Sequence, residues 1–180
     1  MTTTEVTATD VYLVRYGAVS EVARFANESA EVPARGVEVV VETDRGLQIG
    51  TVLERLKPHF DQNKESATEF KLIRSATQRD QDVARELVRE CEEAFPSWCA
   101  RICQWELNLE LVDLERTLDQ QKWILYVLCD RGPDSTKLAL QAAAGGFGVI
   151  EVQPVSATGL VQIPQSSCGS GGGGGCGCDH

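Results

Sequence analysis

Histidine is nearly absent from this 180-residue sequence, which holds only His59 and His180. A Ser-His-Asp or Cys-His arrangement would have to draw on a residue of a polar connecting stretch or on the chain terminus, and neither place suits a preorganised catalytic pair. A non-enzymatic protein is expected. Long apolar runs are missing as well, since none approaches the roughly 20 residues of a membrane-crossing helix. The opening Met1-Thr2-Thr3-Thr4-Glu5 has neither the basic start nor the apolar core of a secretion signal. The expectation is a soluble, cytoplasmic chain without membrane attachment. Positive charge is scarce: 17 Lys and Arg stand against 27 Asp and Glu, a formal net charge of -10. Nucleic-acid affinity rests mainly on Lys and Arg neutralising phosphates, so the balance counts against RNA and suits basic partners.

Seven cysteines are present, scattered at Cys91, Cys99, Cys103 and Cys129 and then bunched at Cys168, Cys176 and Cys178. An odd, uneven set is no secreted disulfide framework, which leaves reduced thiols or metal ligands. Cys99 and Cys103 lie four apart and share a helix face, which permits one metal, but a buried free cysteine behaves as a small hydrophobe, and that is the preferred reading for both, as for Cys91 and Cys129. The tail differs. Cys168, Cys176, Cys178 and His180 are soft ligands set among glycines, where no core can bury them. A zinc site and a disordered, compositionally drifting tail are the two readings, since ligation by a glycine chain costs much conformational entropy.

The chain is organised around residues 109–130, the longest apolar stretch, which reads as a β-hairpin. Its second arm, Trp123-Ile124-Leu125-Tyr126-Val127-Leu128-Cys129, is apolar on both alternating faces and so reads as a central strand covered on both sides. The first arm interleaves Glu110, Asp113, Glu115 and Arg116 with Leu111, Val112 and Leu114, which places it further from the centre. Upstream, short apolar runs at 11–16, 19–25, 36–42 and 47–53 read as four strands able to close into a small barrel. Thr43-Asp44-Arg45-Gly46 joins the last two as an exposed tight turn, and its tip is read either as a plain turn or as a binding loop.

Between them, residues 57–74 read as a polar linker. Residues 75–95 have a helical stripe of Val83, Leu87, Val88, Cys91 and Phe95, and Pro96-Ser97 should kink or break that helix. A second helix over 136–144 ends at Gly145-Gly146, and a closing strand covers 147–155. The glycines of 144–148 follow a helix and lead into a strand, the reverse of a nucleotide loop, so they read as a cap. Carboxylate pairs such as Glu92-Glu93 or Asp113 with Glu115 read as a solvated face rather than acid-base machinery. The expected fold is α+β: a small N-terminal β-barrel-like meander over 1–56, the linker, then a helix-strand-strand-helix-strand unit of split βαβ, ferredoxin-like type over 75–158, and a flexible Gly/Cys-rich tail over 159–180.

Three stretches carry a family resemblance. They are 39–52, with Val39-Val40-Val41-Glu42-Thr43-Asp44-Arg45-Gly46, then Leu111-Val112-Asp113-Leu114-Glu115-Arg116-Thr117-Leu118-Asp119, and Val149-Ile150-Glu151-Val152-Gln153-Pro154. In this order, with an amphipathic helix between, they resemble the polymerase-suppressor (PSP-one type) C-terminal domain family, whose bacterial members include the RicT/YaaT proteins. The resemblance implies a non-enzymatic regulator acting in multiprotein complexes that affect RNA processing and developmental signalling. It also implies RNA binding as an alternative, or a redox-responsive regulator holding an iron-sulfur cluster through cysteines after the closing strand. Here those would be Cys168, Cys176 and Cys178, completed by His180 or a group from the folded body, although the family's compact C-G-x-x-L-C-C motif is absent.

Overall fold

In a computed structural model of the chain, residues 10–56, 70–129, 133–156 and 159–161 are described. Five strands close into the barrel: β1 (Val11–Tyr16), β2 (Glu21–Asn27), β3 (Glu38–Thr43), β4 (Gly46–Arg55) and β5 (Phe70–Ser75), in the order β1-β2-β5-β3-β4. Alternation explains the closure, because the residues that take turns pointing inward, Tyr12, Val14, Val39, Val41, Val52 and Leu72, are all buried together. Tyr16 packs edge-on against Phe25 at 5.3 Å between ring centres. Where β4 crosses β1, a Cβ on Gly50 would lie 2.5 Å from Val14 Cγ1, so only glycine lets the strands approach. The strand count differs from the four expected. β5 comes from the end of the stretch read as a linker, because Phe70-Lys71-Leu72-Ile73 is too short a run to show a period, and its partners β2 and β3 are distant in sequence.

The helix α1 (Gln78–Gln104) begins three residues later than expected, at a capping box in which Thr77 Oγ1 accepts from the Asp80 amide and the Asp80 carboxylate accepts from the Thr77 amide. It then continues through Pro96, so of the expected kink or break the break does not occur. The buried residues Leu87, Cys91, Trp98 and Ile102 continue one stripe on both sides of the proline, so packing holds the helix where propensity would end it.

The second sheet has the order β6-β7-β8-β9, built from β6 (Leu109–Arg116), β7 (Lys122–Cys129), β8 (Val149–Ser156) and the short β9 (Gly159–Leu160). β6 and β7 form the antiparallel hairpin, and α2 (Asp134–Ala144) carries the chain from β7 to the parallel β8. This is the α+β arrangement expected. In detail β7 and β8 pair directly with no strand between them, since the strand before α1, β5, is taken by the barrel. β7 is central and covered on both faces: Leu125 and Val127 meet the helices, whereas Ile124 and Tyr126 pack with Val155, Val19 and Leu160. All four are fully buried. α2 stops at Gly145, with Gly146 at φ 75, the left-handed conformation that ends helices.

Candidate functional site

The best organised polar cluster joins the barrel to the sheet. Arg45, read from sequence as part of an exposed tip, is only 7% exposed, because the β3-β4 turn is pressed against β7 and β8. Its guanidinium forms ion pairs with Glu21 at 2.7 Å and Glu151 at 3.8 Å and donates to Tyr126 Oη at 3.3 Å. Burial opposes the charge on Arg45, but the surrounding Tyr126, Glu21 and Tyr16 outweigh it and raise its pKa. Tyr126 in turn donates to Glu115 Oε2 at 2.6 Å. Burial, with Glu115 beside it, pushes the Tyr126 phenol far up, so it remains a protonated donor.

Glu115 is the hub. Besides Tyr126 it accepts from Gln48 Nε2 at 2.5 Å and from the Ala18 amide at 2.9 Å, so three donors from β7 and the barrel converge on one β6 carboxylate. Thr43 Oγ1 orients Gln48 by donating to its Oε1 at 2.8 Å. The Leu118 amide donates to the Leu47 carbonyl at 2.7 Å, and Lys122 pairs with Glu151 at 2.9 Å. Thr117, 1% exposed, sets its methyl against Gly46, where an added Cβ would stand 3.2 Å away. The Thr43, Arg45 and Gly46 of one motif phrase thus meet the Glu115 and Thr117 of the other, and both phrases serve the junction. Glu115, half-buried, is therefore an acceptor at the junction rather than part of a solvated face, which corrects the sequence reading.

Beside this latch runs an open trough along the seam between α1 and β6. One cleft of about 630 Å³ is lined by Ile49 of the barrel, Leu87, Val88 and Phe95 of α1, and Leu114 and Leu118. A second, of about 760 Å³, is lined by Cys99, Ile102, Cys103, Leu107, Leu109 and Leu128. Phe95 lines both, so the two clefts adjoin along the one α1–β6 seam. Val88, expected on the packed stripe, is 59% exposed, and Leu128 is 49% exposed. Glu92, Glu110 and Asp113 line the trough, and none of them is ion-paired among the described residues. Arg116, the one cation lining either cleft among the described residues, is held by Glu90 at 2.5 Å and stacks on Trp123. Cys91 lies buried in the floor, its thiol pushed up to about 12 by burial and by Glu115 and Asp113, and so stays neutral.

Cys99 and Cys103 are exposed, which overturns their reading as buried hydrophobes, while Cys91 is buried as that reading requires. Among the described residues no three metal-ligating side chains converge. Cys168, Cys176, Cys178 and His180 lie outside the described residues, as does His59. Sequence reasoning missed the roles of Gln48 and Tyr126. The available signal was a polar residue at an inward position of a strand, Gln48 between Leu47 and Ile49, which is 2% exposed.

Fold and site together define an α+β protein whose five-stranded barrel is latched by buried charges to a helix-backed sheet, with a trough beside the latch. The chain is 32% identical over 106 residues to the stage 0 sporulation protein YaaT of Bacillus subtilis (strain 168), an overlap covering 59% of this chain and 38% of that protein. It is thus a distant relative of YaaT, which agrees with the YaaT-like resemblance read from the motif phrases, and it spans well under half of that relative's length. No protein-family model and no solved structure matches the chain.

Proposed function

We propose that this chain is a non-catalytic, cytoplasmic regulatory adaptor of the YaaT-like type that works by docking other proteins, in complexes linked to RNA processing or developmental signalling. Its relative is named for stage 0 of sporulation, which supports a regulatory role. The motif phrases support a polymerase-suppressor type C-terminal domain over 75–158. The observation that carries the reading is the trough: an apolar floor with large exposed side chains such as Val88, beside a latch in which Arg45, Gln48 and Tyr126 are already engaged. Apolar, concave and rigidly framed surfaces of this kind serve recognition. No helix among the described residues is long and apolar enough to cross a membrane, and the unpaired carboxylates of the trough disfavour RNA there.

Affinity capture in the native host tests the reading. The parent chain should bring down a reproducible partner, and Val88→Asp, a change at an exposed position, should lose it while melting at the parent's temperature. No reproducible partner, equal capture by the variant, or turnover of an RNA substrate by the purified chain alone would each refute the adaptor role.

A further inference from the structure

Resting on that reading, we propose that the trough receives an amphipathic helix of a partner protein, apolar on one face and flanked by Lys or Arg. Three features of the trough select this occupant. The first is its shape. Val88, Phe95, Cys99 and Cys103 lie along one side of α1 at spacings of seven, four and four, which at about 1.5 Å per residue makes a wall roughly 22 Å long, the length of a helix of about 15 residues. Helix-in-groove recognition reads anchors at such spacings.

The second feature is the opposite wall, β6, an edge strand that is closed to strand addition. Its register slips at a bulge between Leu111 and Asp113, and Asp113 Oδ1 accepts from the Leu114 amide at 2.7 Å, so that amide is already engaged. Bulges and charges are how edge strands refuse new partners. An occupant must therefore bind through side chains.

The third is charge. Glu92, Glu110 and Asp113 have no ion-pair partner among the described residues, and Pro96, having no N–H, leaves the Glu92 carbonyl without its helical partner. These three carboxylates and the carbonyl all accept, against one unpartnered charged donor in the lining, Arg116 Nε, so the matching flanks donate. A second copy of this chain would set carboxylates against carboxylates. The chain's own segments outside the described residues also fail: 1–9 and 162–180 contain no Lys or Arg, and 57–69 sets Lys57 and Lys64 against Asp61, Glu65 and Glu69. Rim charges of this kind govern encounter and salt sensitivity, while the apolar anchors hold the complex.

Fluorescence anisotropy with the full chain tests the proposal, using labelled peptides of about 15 residues built only from Leu and Lys. One peptide places Leu at helical spacing and a second alternates Leu and Lys as in a strand. A third repeats the helical design with Glu for Lys. The helical Leu/Lys peptide should bind at least about tenfold more tightly than either other, and its affinity should fall as salt rises. Val88→Asp and Glu92→Lys should each weaken it by about tenfold, whereas Glu54→Lys, at the far end of β4, should not, which separates the trough from the general acidity of the chain. Stronger binding of the alternating peptide would show strand addition instead. Equal binding of the Leu/Glu peptide, or equal losses from Glu92→Lys and Glu54→Lys, would also overturn the inference. If native partners depend on Val88 but dock through a segment that is neither basic nor helical, the occupant is wrong while the adaptor role stands.

Discussion

Arg45 shows how one residue can be misread from sequence and still be recognisable by its neighbours. Its guanidinium sits among Glu21, Glu151 and Tyr126, and replacing it with Met would leave the half-buried Glu21 without its cation, while Glu151 keeps Lys122. Breaking a fully buried pair costs about 3–5 kcal/mol and the partial exposure of Glu21 lessens that, so Arg45→Met should lower the midpoint of urea unfolding, and Arg45→Lys should recover only part because a single ammonium cannot serve three acceptors in a fork. Full recovery by lysine would mean that charge alone matters here. A second residue gives a pH signature. The Asp80 carboxylate is held below its ordinary value of 3.8, chiefly by hydrogen bonding to Arg74, with the Thr77 cap adding to it. A lowered folded pKa means that the stabilisation is present above the ordinary value and is lost as pH falls below it. Asp80→Asn, at the third helical position of the capping box, should therefore cost about 0.5–1 kcal/mol near neutral pH, the worth of a carboxylate in a helix's first turn, with little added by the half-exposed Arg74. The gap between the parent and variant should close below about pH 4. A constant gap in urea melts from pH 7 to pH 3 would remove the assignment.

At the scale of elements, β7 carries the most consequence. Its two-faced apolar run places it in the centre of the sheet, and Leu125 is fully buried against α1, α2 and β6. Leu125→Asp puts an unpaired charge into that layer, for which no partner is within reach. Loss of cooperative melting by circular dichroism is expected, and a variant melting within a few degrees of the parent would show that the strand tolerates water. α1 illustrates the opposite balance between local and tertiary terms. A proline in a helix interior costs about 3 kcal/mol, and burying a large apolar side chain returns about 1.5–3 kcal/mol. Trp98 and Ile102, both buried beyond Pro96, offset the proline together, and so the helix continues to Gln104. β5 was invisible in the sequence for a related reason: a six-residue strand with one fully buried residue, Leu72, has too little pattern to stand out from a polar connection.

For the whole molecule the question is whether the barrel and the sheet unfold together. Glu115 takes hydrogen bonds from Tyr126, Gln48 and Ala18, and Glu115→Ala would leave these donors without it, at about 1–3 kcal/mol for each that stays buried. Calorimetry should show one transition for the parent and two for the variant, and a single transition at an unchanged temperature would mean that the junction contributes nothing. The trough depends on the same coupling, since its lining draws Ile49 and Gln48 from the barrel and Leu114 from β6. The sequence by itself determined the acidic character, the kinds of elements, the barrel hairpin around Gly46 and the centrality of β7, because the period and polarity of a segment report directly which of its faces must be buried. Only the tertiary structure decided that Arg45 points inward, that Glu115 is a hub, that β5 completes the barrel, and that Cys99 and Cys103 stay exposed where Cys91 does not. These depend on which surfaces meet: Ala18 and Glu115 are 97 positions apart, Arg45 and Tyr126 are 81 apart, and no local pattern encodes a partner at that distance.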